Sequence, residues 1–174
     1  MRALGPGSVS SFLKIILDVV YVALWISLGA VALALLAALL FSFNPDLLPA
    51  VVSTEAAQVA TRGPLFAGML LAFGLSIGGV LVIVDALRRI FVTLTAGDPF
   101  HPDNVRRLRL VGVMLAALEI IRYVMWGLTP LMPEIKRSEP NFNVTSWFSV
   151  LVVFVLAEVF REGARLRREA ELTI

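Results

Sequence analysis

The chain contains no cysteine and a single histidine, His101. The first absence excludes disulfides, thiolate catalysis and thiolate-held zinc or iron–sulfur centres, and the second leaves no set of imidazoles for a metal site or a histidine-based triad. Charge is scarce too: Asp, Glu, Lys and Arg make up 16% of the 174 residues, against about 25% in an ordinary soluble domain. What replaces it is apolar surface, with 59% hydrophobic residues and a mean hydropathy of +0.89. A globule of this length buries only about 70% of the surface its unfolded chain exposes. It cannot hide so much apolar surface from water, and a chain this rich in apolar residues is not disordered either. The bilayer is the expected solvent.

A helix crosses a hydrocarbon core about 30 Å thick with roughly 20 apolar residues. Four stretches qualify as expected spans: about 19–43, 64–87, 108–131 and 143–163. The first runs from Val19 to Pro45 without an acid, a base or a histidine. It is too long for the apolar region of a secretory leader and lacks a small-x-small cleavage site, so it reads as a retained helix. The third carries Glu119 and Arg122 inside it, and the fourth runs on into a charged helical tail over about 158–174. The expected fold is all-α: one polytopic membrane domain over residues 1–174, a four-helix bundle.

Orientation follows from arginine and lysine, which resist translocation. The N-terminal segment, the connection between spans two and three and the C-terminal tail together hold eleven basic residues, while the two other loops hold three, Arg62, Lys136 and Arg137. Both termini are therefore expected in the cytoplasm, as in a multi-pass protein of the bacterial inner membrane. Trp126 and Trp147 then fall at the outer ends of their spans, where interfacial tryptophan is favoured. The outer loops carry prolines and mixed polar residues and look dispensable for chemistry. The inner connection differs: Gly97-Asp-Pro-Phe-His-Pro102 is a turn, Asp103 or Asn104 is suited to cap the next helix, and Arg106, Arg107 and Arg109 follow at the membrane face.

Within the spans, Glu119 and Arg122 are the most costly residues, since an unpaired charge in hydrocarbon costs at least about 2.5 kcal/mol. Their i, i+3 spacing lets each satisfy the other. They read either as a structural lock on the third span or as a polar site for an ion, a proton or a ligand. The second span presents Gly68, Ala72 and Ser76 at four-residue steps and a GxxxG at Gly74 and Gly78. Small residues let helix backbones approach closely, within one bundle or between copies in a homo-oligomer. In the tail, Glu158/Arg161, Glu162/Arg165 and Arg165/Glu169 stand at helical ion-pair spacings, and Phe160, Gly163, Ala164 and Leu166 are free to face the bundle or a partner. Acids interleave its arginines and no stacking aromatics accompany them, so direct nucleic-acid binding is not expected. His101, Asp98 and Asp103 read as turn chemistry. No nucleophile elbow, phosphate loop, metal set or cofactor motif occurs, and an enzyme is not expected.

Two of these segments carry a resemblance. Gly97, Pro99, Phe100, Asn104, Arg107 and Leu108 in the inner turn, with Phe160, Gly163, Leu166, Glu169 and Leu172 to Ile174 in the tail, make the chain similar along essentially its whole length to the four-span bacterial membrane proteins grouped as domain of unknown function 2975. Arg168 departs from that pattern, which has an acid there. The resemblance implies no activity. It implies companionship with small cytosolic helix-turn-helix regulators of the phage-repressor type, and so a membrane protein that docks a transcriptional regulator on its inner face through the Gly97–Arg107 turn and the Phe160–Glu169 tail. A small oligomeric transporter or channel using Glu119 and Arg122, and an immunity-type protein that occupies a toxin's membrane target, are the alternative expectations.

Overall fold

The computed structural model describes residues 9–43, 63–131 and 143–172. The two loops expected on the outer side, with Arg62, Lys136 and Arg137, fall outside the described residues, as do Thr173 and Ile174. Four long helices account for nearly all of the described chain: α1 (Val9–Phe43), α2 (Gly63–Thr95), α3 (Pro102–Leu128) and α4 (Val144–Glu171). A short 3-10 turn, Thr129–Leu131, follows α3, where Pro130 ends the regular helix. Helices α1, α2 and α4 are each long and apolar enough to cross a membrane. Helix α3 has 27 residues, and Glu119 and Arg122 interrupt its apolar stretch. The chain is an all-helical membrane protein.

The helices pack in chain order, α1 on α2, α2 on α3 and α3 on α4. Paired positions give the register. Arg88 meets Asp18 near one end of α1 and α2, and Gly74 lies beside Val31 farther along, so the two run antiparallel. Helix α3 returns along α2 from Asn104 beside Thr93 to Leu118 beside Gly79. Helix α4 then runs back along α3, with Trp147 near Tyr123, Phe154 on Gly112 and Glu158 beside Arg109. Among the described residues the backbones of α1 and α4 do not pack on one another, so the bundle is an open row rather than a closed ring. Small residues set the closest approaches. A methyl group at Gly79 would sit 2.9 Å from Leu118 Cδ2, and one at Gly112 would sit 3.0 Å from the Phe154 ring. Lipid tails remove the hydrophobic drive between helices, and close packing of this kind takes its place.

The small buried core lies towards the end where α2 turns into α3. Ile90, Leu108 and Ala157 form it, with Leu94 and Phe160 packed against them. Here α2 reaches α4 through side chains. The opposite result holds along α1, where Phe12, Ile15, Val19, Trp25, Ile26 and Leu33 are exposed, as expected of a surface built to face lipid.

Candidate functional site

The turn between α2 and α3 is built by its own residues. Helix α2 ends with Gly97 in the left-handed region at φ +84°, which costs glycine nothing. Gly97 N–H donates to the Leu94 carbonyl at 3.1 Å and Asp98 N–H to the Thr93 carbonyl at 3.0 Å, the paired bonds of a Schellman ending. The next helix opens on Pro102, whose missing N–H is harmless in the first turn. Its cap is His101, whose Nδ1 accepts from Asp103 N–H at 3.2 Å. Asp103 and Asn104, the caps expected from sequence, already lie inside α3.

Asn104 has a different task. It is fully buried, at 0% exposure. Its Nδ2 donates to Thr93 Oγ1 at 2.7 Å and to the Pro99 carbonyl at 3.1 Å, while its Oδ1 accepts from Arg107 at 3.0 Å. Arg107 also donates to the Arg89 carbonyl at 3.3 Å. One amide thus ties the end of α2, the turn and the first turns of α3 together, with every polar atom used.

The turn is in turn fastened to α4. Asp98 pairs with Arg167, and the Phe100 ring lies 5.7 Å from the Phe160 ring, centroid to centroid. Gly163 is the seat for Phe100: a Cβ there would lie 2.6 Å from Phe100 Cε1. The two segments singled out separately in the sequence, turn and tail, therefore form one latch at one end of the molecule. Around it stand further ion pairs: Asp18–Arg88, Asp85–Arg89, Arg109–Glu158 and the helical pairs Glu158–Arg161, Glu162–Arg165 and Arg165–Glu169. The three tail pairs stand at the spacings read from sequence. Asp18–Arg88 was not foreseen, because nothing local links residues 70 positions apart.

A family model, described as a protein of unknown function (DUF2975), matches residues 49–174. The chain belongs to the DUF2975 family. The match starts after α1, so it is narrower than the whole-chain resemblance expected from sequence. No curated protein and no solved structure matches the chain. Most of the residues that carried the resemblance to DUF2975 have internal duties: Gly97 ends α2, Pro99 and Asn104 close the turn, Arg107 holds Asn104, Leu108 sits in the core, and Phe100, Phe160 and Gly163 join turn to tail. Glu169 pairs with Arg165 at 3.5 Å. Leu166 and Leu172 are exposed, and so is Arg106, for which the described residues offer no ion-pair partner.

In this DUF2975 protein the Glu119 and Arg122 side chains, expected within the third span, meet each other. Glu119 is buried while Arg122 is half exposed. Arg122 Nε donates to Glu119 Oε2 at 3.2 Å, and its terminal nitrogen donates to Oε1, the two-pronged geometry that suits guanidinium and carboxylate. Both partners belong to α3, so the pair itself does not bridge two helices. Glu119 shares the helix face of Gly112 and Tyr123, which meet Phe154 and Trp147 of α4; Trp147 Nε1 donates to Tyr123 Oη at 3.4 Å. The small residues of α2 divide. Gly74 meets α1 and Gly79 meets α3, whereas a methyl at Gly68 or Gly78 would touch nothing within 4 Å. Ser76 spends its hydroxyl on the Ala72 carbonyl at 2.9 Å.

Proposed function

We propose that this chain is a non-enzymatic integral membrane regulatory protein of the bacterial inner membrane, with four crossings and both termini cytoplasmic, which docks a cytosolic helix-turn-helix regulator on the end of α4. One observation carries the reading. The latch consumes the turn and one side of α4, yet leaves Leu166 and Leu172 exposed on a helix end otherwise covered in charge. Exposed leucines on a charged, water-facing helix end are poor choices for solvent and good ones for a partner. The crossing number rests on register: α3 runs antiparallel beside α2 for most of its length, so it returns through whatever layer α2 traverses. The sidedness rests on the basic residues gathered at the latch end.

The buried polar side chains support a structural rather than chemical interior. Asn104 and Glu119, the two buried polar side chains among the described residues, are both spent on hydrogen bonds within the fold. We therefore read Glu119–Arg122 as a lock on α3, not as a transport path.

The test is a crosslinked pull-down of the full-length tagged protein from native membranes, beside the double variant L166A/L172A, which removes the two exposed leucines and leaves every latch contact intact. Recovery of a helix-turn-helix DNA-binding protein with the native chain and its loss with the variant is the expected result. Recovery of the same set of proteins with both chains, or of none with either, overturns the docking reading.

A further inference from the structure

The face formed by α1, α2 and α3 carries two grooves that join. The first, of about 700 Å³, opens between Tyr21, α2 and the start of α3. The second, of about 580 Å³, continues from it along the same face, with Val82 in the wall of both. Helix α2 forms the floor, and α1 and α3 form the banks, since these two do not pack on each other. From Arg89 to Leu71 the floor is 18 helical steps long, about 27 Å, close to the thickness of the hydrocarbon core.

The two ends differ in chemistry. The first groove is lined by Arg89, Arg106, Arg107 and Arg109 against two acids, Asp85 and Asp103, a surplus of positive charge. Most of these cations are engaged: Arg89 with Asp85, Arg107 with Asn104, and Arg109 with Glu158. Arg106 is exposed at the groove and has no ion-pair partner among the described residues. Seven residues further along α3, about 10 Å deeper, the wall has become apolar at Val113, and the second groove is apolar throughout. A polar, cationic mouth leading into an apolar trough is the shape of one molecule type, an amphiphile with an anionic head.

The glycine floor gives the trough its depth. Gly78 lines the second groove, and a Cβ there would meet nothing within 4 Å. Of the GxxxG pair, Gly74 approaches Val31 of α1, while Gly78 leaves room for something outside the chain.

We propose that this face binds an anionic glycerophospholipid of the leaflet on the latch side, its phosphate held at the mouth by Arg106 and one acyl chain laid over Gly78 between α1 and α3. Charge complementarity selects the occupant. A second copy of this chain would bring the same surplus of arginines to the mouth and repel itself there.

The experiment is native mass spectrometry of the full-length protein, extracted from vesicles of equal parts phosphatidylglycerol and phosphatidylcholine with identical oleoyl chains. Retention of phosphatidylglycerol over phosphatidylcholine is expected, and R106Q should lower that preference about fivefold, the value of one basic side chain at an anionic surface. R168Q, which removes another cation on the same end but outside the groove, should leave it unchanged. G78F puts a side chain into the trough at a position where a Cβ meets no protein atom within 4 Å, and should reduce retention of both lipids while circular dichroism stays native. Equal retention of the two lipids by the native chain overturns the proposal, as does a preference that R106Q and R168Q reduce alike. Displacement of the lipid by inorganic phosphate alone overturns it in favour of a soluble anion. A change from dimer to monomer in G78F with lipid retention intact overturns it in favour of a second copy of the chain.

Discussion

Asn104 does at one position what a turn of this shape otherwise needs several residues to do. A fully buried amide is tolerable only when its donors and acceptor are all met, and Thr93, Pro99 and Arg107 meet them. Replacing it by leucine leaves the Pro99 carbonyl and the Arg107 guanidinium without this partner, at a cost of about 1–3 kcal/mol. Asn104→Asp keeps the acceptor for Arg107 but loses both donors, and is expected to cost nearly as much. Denaturant unfolding in detergent micelles measures both variants, and a loss below about 0.5 kcal/mol in each would remove Asn104 from the centre of the latch. The Phe100 seat offers a second, independent check. Gly163→Ala pushes a methyl against the Phe100 ring, and overpacking of this kind costs about 1–3 kcal/mol. Phe100→Leu made alongside it should return part of that loss, and a double-mutant cycle reads the coupling. Additive effects would mean that Phe100 does not sit on Gly163.

The helices themselves explain what could be read in advance. Spans, breaks and the α4 ion pairs depend on neighbours one to four residues away, or on runs of apolar residues about 20 long, and both kinds of signal are local. The turn was legible for the same reason, since Gly97 and Pro99 punctuate it. Its cap was not: an asparagine near a helix start suits capping and burial equally, and His101 took the cap because Pro102 is the first helical position, two residues before the start that an Asp103 cap would give. Which helices touch was harder still. A helix that is apolar all round has no face that points inward, so nothing in α1 says that it packs on α2 and leaves α4 alone. The Glu119–Arg122 pair shows the same limit from the other side: its spacing gave the pairing within α3, while the burial of Glu119 is set by helices elsewhere in the chain. That division makes a prediction at the level of α3. Arg122→Ala strands a buried carboxylate, whereas Glu119→Gln with Arg122→Gln removes both charges and keeps side chains of similar reach. The single variant should have the lower Tm in detergent, and the double variant should lie between it and the native protein. Equal Tm losses would count against a pair that exists to neutralise itself.

At the scale of the whole molecule, hydrogen bonds and ion pairs concentrate at one end, and along the rest the helices, which touch in sequence order, meet mainly through side-chain packing, with the Trp147–Tyr123 hydrogen bond near the far end. The ion pairs gather where α1 starts, α2 turns into α3 and α4 finishes, so Asp18–Arg88, Arg109–Glu158 and Asp98–Arg167 tie the helices together towards one end. Such a belt of charge belongs at a membrane surface, and its excess of arginine is what supports the proposed cytoplasmic placement of that surface. Absence of cysteine makes this directly measurable, because any cysteine introduced is the sole thiol. Thr95 and Ala170 are exposed at the latch end and Asn143 is exposed at the opposite end. In intact cells, a membrane-impermeant maleimide should label Asn143→Cys and spare Thr95→Cys and Ala170→Cys until the membrane is opened. If α3 returned only part of the way, Asn143→Cys would be spared together with the other two. If the basic end faced outwards, the pattern would invert, and docking of a cytosolic regulator on α4 would be ruled out with it.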